Sequence, residues 1–152
     1  MTHMHGMFST KGRYALRVMA DLATHDGWVS LGDVSKRQGI SRKYLEQVTA
    51  VLVKGDLVES QRGKGGGHKL NRDPHNYTLG EILRVAEGGS LAPVNCLDCK
   101  KGTVCSHIKT CTTLPIWREL GMITSQFLDS KHLSDLIVSK NPEADIEALA
   151  SI

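Results

Sequence analysis

Four cysteines fall in one short stretch, Cys96, Cys99, Cys105 and Cys111, with the spacing C-x2-C-x5-C-x5-C. Thiolates are soft ligands, and several close together suit an iron–sulfur cluster or zinc. The residues between them include Asp98, Gly102, Thr103, Ser106 and Thr110, small or polar side chains that let a loop wrap an inorganic core. Structural zinc sites usually show two tight C-x2-C pairs. Here there is one tight pair and two wide gaps, which favours an iron–sulfur cluster, [2Fe–2S] or [4Fe–4S], over zinc. A thiol switch without metal is the third reading, since disulfides in a reducing cytosol are transient. No catalytic constellation accompanies the cysteines. The seven histidines are scattered, and no serine or cysteine has a base at motif spacing, so an enzyme is not expected.

The elements around this loop divide the chain. Ser9 is placed to cap a helix running to about His25, with Tyr14, Ala15, Val18, Met19, Leu22 and Ala23 at helical spacing. Ser30, with Asp33 three residues on, opens a second, short helix from Leu31 to Gln38. Gly39-Ile40-Ser41 then supplies a tight turn, a core plug and a cap. The third helix runs from about Arg42 to Lys54, burying Tyr44, Leu45, Val48, Val51 and Leu52. Its other face carries Arg42, Lys43, Glu46 and Gln47 near the N-terminus, where a recognition helix meets base edges and phosphates.

Leu57 to Arg62 has strand character, and a return strand includes His68, Lys69 and Leu70. Between them lies Gly63-Lys64-Gly65-Gly66-Gly67, a hairpin tip flanked by cations. Glycines let such a backbone approach DNA closely, and the flanking cations Arg62, Lys64 and Lys69 can meet phosphates or enter a minor groove. A phosphate-binding P-loop is rejected, because His68 stands where its lysine would be and no helix follows. Thr78-x-x-Glu81 forms a capping box for a helix through Glu87, ended by Gly88-Gly89. Beyond the cysteines, Leu114-Pro115 opens a long helix whose Ile116, Trp117, Leu120, Ile123, Thr124, Phe127 and Leu128 recur at three- and four-residue spacing. A winged reader of a two-fold site needs a two-fold protein, so this helix is expected to dimerise, with Trp117 as an anchor.

The expected architecture is mainly α with a small β-wing: a winged helix-turn-helix domain plus a long C-terminal dimerisation helix. Residues 8–90 make the DNA-binding domain and 91–113 the cysteine-rich loop. Residues 114–138 hold the dimerisation helix and a short helix from His132 to Val138, and 139–152 a tail or weak helix. The 152 residues are 40% apolar and 23% charged, with a net charge of +3. That balance is mild, so nucleic-acid binding rests on local clustering. Aromatics at 5% are too few for a single-strand stacking surface. No apolar run approaches the roughly 20 residues of a membrane span. Met1 to Met7 lacks the apolar core of a secretory signal. A cytoplasmic protein is expected.

The combined pattern resembles the IscR/NsrR-type family of bacterial winged-helix regulators, which sense iron–sulfur status, nitric oxide or sulfur metabolites. The likeness is carried by Ser9-Thr10-Lys11-Gly12-Arg13-Tyr14-Ala15-Leu16, Gln38-Gly39-Ile40-Ser41, Tyr44-Leu45-Glu46, Gly55-Asp56-Leu57-Val58 and Arg62-Gly63-Lys64-Gly65-Gly66-Gly67. Glu87-Gly88, the cysteines, Leu114 and Trp117 extend it nearly to Val138. The resemblance implies a homodimer on a near-palindromic double-stranded operator, with the third helix in the major groove and the wing beside it. It also implies that Ser41, Glu46 and Gln47 contact bases or backbone and that Arg62 is the minor-groove cation.

The family's three-cysteine motif falls on Cys99, Cys105 and Cys111. The histidine that one branch carries three residues later is Leu114 here, and no acidic residue precedes Ser9. Cys96 is then the candidate fourth ligand, with His107 as an alternative. A metal-free or zinc-bound thiol-switch regulator of cysteine metabolism is the second reading. An iron–sulfur electron carrier is a third, from a different class, and leaves the basic wing without a role.

Overall fold

The computed structural model describes residues 7–98 and 105–138, together with 146 and 149. Six helices occupy it: α1 Thr10–Ala23, α2 Leu31–Gln38, α3 Arg42–Lys54, α4 Leu79–Ala86, α5 Leu114–Asp129 and α6 Leu133–Val138. Strands β1 Val58–Gln61 and β2 Gly67–Leu70 pair antiparallel, with Val58 opposite Leu70 and Gln61 opposite Gly67. The fold is mainly α with a β-wing, as the sequence pattern predicts. The weak helix expected over residues 139–152 lies, apart from residues 146 and 149, outside the described residues.

The helix starts follow from their caps. The hydroxyls of Ser9, Ser30, Ser41 and Thr78 accept from the backbone N–H groups of Gly12, Asp33, Tyr44 and Glu81. Each satisfies a donor that the first turn leaves without a partner. The box at Thr78 is only half formed, because the Glu81 carboxylate turns to Arg72 at 2.9 Å instead of reaching back. α1 ends at Ala23, two residues before the expected His25.

The core joins one face of each reader helix. Ala15, Val18 and Met19 of α1, Val34 of α2, Leu45 and Leu52 of α3 and Ile82 of α4 are fully buried. Thr49 joins the α3 stripe, its hydroxyl donating to the Leu45 carbonyl at 2.8 Å, while Tyr44 and Val51 are only partly covered. α4 packs on α1, and α6 also returns to α1, driving Leu133 to complete burial. Thr78 bridges to His132, so the starts of α4 and α6 are stitched together. α5 is different: it leans on α4, but among its residues only Leu128 is buried.

Candidate nucleic-acid interface and thiol loop

The α2–α3 turn is fixed from several sides. Gly39 takes φ 64 and its N–H donates to the Ser35 carbonyl at 2.9 Å. The Ser35 hydroxyl donates to the Ile40 carbonyl at 2.6 Å, and Ile40 is buried. α1 holds α2 through Asp21, whose side chain is only 2% exposed. Arg37 donates to it through Nε at 3.0 Å and Nη2 at 2.7 Å, and Gln38 through Nε2 at 2.8 Å. Burial pushes the Asp21 carboxyl up, but the Arg37 and Gln38 hydrogen bonds outweigh it and hold the group below the usual carboxylate range. Arg17 of α1 also donates to the Gln38 side chain and carbonyl. These bonds hold the end of α2, where the turn into α3 begins, against α1.

α3 presents Ser41, Arg42, Lys43, Glu46 and Gln47 to solvent on and just after its first turn. The Ser41 oxygen is engaged as the cap, which leaves its O–H free to donate outward. Arg42 Nε lies 3.3 Å from Glu46 Oε1, an exposed i,i+4 pair of the weak kind. Lys43 and Gln47 have no side-chain partner among the described residues. Arg62 and Lys64 are exposed at the wing tip, and likewise have no ion-pair partner among the described residues. Lys69, by contrast, is held by Glu59 at 3.3 Å and sits 4.7 Å from the Trp28 ring centroid. Of the three cations expected there, Arg62 and Lys64 are unengaged among the described residues and Lys69 is not. Glu46, Ala50 and Lys54 of α3 and Ser60 and His68 of the wing line one groove of about 410 Å³, so helix and wing flank a common space.

The wing's anchors carry little local signal. Val29 and His68 exchange N–H···O bonds of 2.9 and 2.8 Å, which adds a one-residue third strand between α1 and α2. Gly67 permits this crossing, because a Cβ there would lie 2.3 Å from the Val29 carbonyl oxygen. Tyr77, fully buried, accepts from the N–H groups of Asn71 and Arg72 and has the Leu57 carbonyl at 2.9 Å for its own proton. It thereby ties the foot of β1 to the chain leaving β2. At the other pole Glu87 accepts from the Ser9 N–H at 2.8 Å and from its hydroxyl at 2.9 Å, joining the end of α4 to the start of α1. The only sequence hint of these contacts is an aromatic or acidic residue in an otherwise ordinary position.

The thiols lie between α4 and α5. Cys96 sits in a short 3-10 turn, Asn95–Leu97, and Cys111 stands three residues before the start of α5. Cys96, Cys105 and Cys111 are free and half-buried, while Cys99 lies outside the described residues. His107 is exposed. Cys111 Sγ is 3.4 Å from Thr113 Oγ1. The Thr113 hydroxyl, then its backbone N–H, lowers the Cys111 thiol below its usual range. The described part of the loop therefore supplies soft, unpaired and accessible donors, one of them biased toward thiolate, as a thiolate-ligated group requires. Among the described residues no set of three or more acidic, histidine or cysteine side chains is gathered tightly enough to enclose a metal.

Residues 8–139 match the Rrf2 family, described as iron-dependent transcriptional regulator. The chain belongs to the Rrf2 family. It is 39% identical over 132 residues to the HTH-type transcriptional regulator IscR of Aliivibrio salmonicida, covering 86% of this chain and 76% of that protein. The IscR of Yersinia pestis is 38% identical over 131 residues, with 85% and 77% covered. Among solved structures, CymR, the global cysteine regulator of B. subtilis, superposes with a TM-score of 0.71 at 34% identity, covering 88% of this chain and 98% of that one. T. potens IscR superposes with a TM-score of 0.67 at 37% identity, covering 85% and 84%. As an Rrf2 protein the chain is a winged-helix transcriptional regulator and not an enzyme. Among the described residues no helix is long and apolar enough to cross a membrane.

Proposed function

We propose that this Rrf2 protein is a homodimer that binds a near-palindromic operator and whose binding is controlled by an iron–sulfur cluster held in the thiol loop. Cys99, Cys105, Cys111 and Cys96 are the ligands, for a [2Fe–2S] or [4Fe–4S] core. The cluster would supply a redox- and nitric-oxide-sensitive centre. The observation that carries the reading is the position of α5. Its first residue follows Cys111 by three, and its last, Asp129, is joined to α4 of the reader by Arg84. One rigid element thus links the thiols to the DNA-binding half.

On DNA, Arg42, Lys43, Glu46, Gln47 and the Ser41 hydroxyl face the major groove, and Arg62 and Lys64 the adjacent backbone or minor groove. Glu46 can accept from a cytosine amine once it leaves Arg42. Exposed apolar residues along α5 support the dimer: Ile116 is 63% and Phe127 58% exposed, with Leu120 and Ile123 on the same stripe. Two copies meeting there would fix the spacing of two recognition helices. Phe127→Glu should give a monomer by sedimentation and weaken operator binding; a dimer that survives it would displace the interface from α5.

The control of binding is tested by selecting operators from a genomic library and titrating them with reconstituted and cluster-free protein. Different affinities are expected; equal ones would remove the coupling. A metal-free or zinc-bound thiol switch is the second reading, favoured by the lowered Cys111 thiol and by the likeness to a cysteine regulator. An iron–sulfur electron carrier is not favoured, because a reader helix and a basic wing have no role in it.

A further inference from the structure

An open groove of about 480 Å³ lies between the segment that follows α4 and one side of α5. That size is within the range of small-molecule sites. Leu91, Leu97 and Met122 provide apolar wall, and Arg118, Ser125 and Gln126 provide polar groups. None of these three polar side chains has a hydrogen-bond or ion-pair partner among the described residues. Among the described residues Arg118 is the one charged side chain in the lining, with no carboxylate beside it. At one end Gly121 lets the helix meet the opposite wall, since a Cβ there would lie 3.1 Å from Pro93 Cδ.

The groove is separate from the exposed apolar stripe. At about 100° per residue, Arg118, Met122 and Ser125 lie roughly opposite Ile116, Leu120, Ile123 and Phe127 on α5. A second copy packed on that stripe leaves the groove open.

We propose that this groove binds a small organic anion: a carboxylate carrying a short apolar or thioether body. The Arg118 guanidinium matches a carboxylate with two parallel N–H···O bonds. Ser125 and Gln126 offer further donors on the same helix side, and Leu91, Leu97 and Met122 take the apolar body. The bound anion bridges α5 to the segment that ends at Leu97, next to Cys96. It therefore braces the thiol loop from the side, whether or not that loop holds a metal.

The probes are hexanoate, N-acetyl-L-methionine and, as an uncharged control of equal length, hexan-1-ol, titrated into the full chain by calorimetry. At least one anion should saturate, with hexanol at least about tenfold weaker, and Arg118→Gln should weaken the anion by about tenfold or more. Ser125→Leu, which removes one donor and narrows the groove, should weaken the anion by about tenfold or more, while circular dichroism of both variants stays unchanged. The proposal is overturned if neither anion saturates, or if the anion binds Arg118→Gln as well as it binds the unsubstituted chain. None of these readouts requires a cluster, so the result is independent of the sensing reading.

Discussion

Arg84 donates two N–H groups to the Asp129 carboxylate, at 2.6 and 2.8 Å, and so fastens the end of α5 to α4. The fork holds the Asp129 carboxyl below the usual carboxylate range. Gly80 makes room for it, because a Cβ there would lie 2.0 Å from Asp129 Oδ1. Gly80→Ala must therefore push the carboxylate away. Gly80 is the second residue of α4, where alanine gains at most about 1 kcal/mol over glycine. A half-exposed ion pair is worth at most about 1 kcal/mol. The single substitution should leave urea stability nearly unchanged, whereas in an Asp129→Ala background it should stabilise by up to about 1 kcal/mol. Equal effects in the two backgrounds would mean that Gly80 and the pair are not coupled.

The clamp between α1 and α2 has larger stakes. Asp21 is buried and is matched by Arg37 and Gln38. Removing the guanidinium leaves a buried charge, so Arg37→Ala should cost about 3 kcal/mol in chemical denaturation. Arg37→Lys should rescue only part of that, since an ammonium cannot form the two-pronged contact. A cost within error of zero would show that the carboxylate finds water instead.

His68 makes the wing sensitive to acid. Its buried Nδ1 has no hydrogen-bond partner among the described residues, and burial lowers its pKa from the ordinary imidazole value. Well above the ordinary imidazole pKa the ring is neutral folded and unfolded, and the group is silent. As pH falls through that value the unfolded chain binds the proton more readily, so stability declines until the lowered folded pKa is passed. Urea midpoints between pH 7.5 and 5.5 should fall more steeply for the unsubstituted chain than for His68→Gln. Parallel profiles would assign the acid sensitivity to other groups.

The helical frame was legible in the sequence because its signals are local. Ser30 and Ser41 each stand one residue before a helix with an apolar stripe, and Gly39 between them forces the turn. The wing hairpin was legible for the same reason, its glycine tip separating two short strands. What escaped was long-range. Nothing near Ser9 announces Glu87, and nothing near Val29 announces His68 as a strand partner. Tyr77 belongs to none of the sequence patterns, yet it fastens the foot of the wing. At the thiol loop the candidate ligand types were legible, from Cys96 to Cys111. The bias of Cys111 toward thiolate was not, because it depends on how Thr113 turns back at the start of α5.

The wing tip should act through charge alone. Arg62 is exposed and has no partner among the described residues, so Arg62→Ala should leave the melting temperature unchanged. Operator affinity should fall, and the slope of log affinity against log salt should shrink by about 1. An unchanged slope would take Arg62 off the phosphates.

The most direct test of cluster sensing is a visible absorption spectrum of anaerobically purified protein, with iron, acid-labile sulfide and zinc measured on the same sample. Iron and sulfide in comparable amounts, with a charge-transfer chromophore that disappears in Cys105→Ala, are the expected result. Zinc alone, or a colourless protein that cannot be reconstituted, would contradict it and leave the four cysteines as structural or redox thiols.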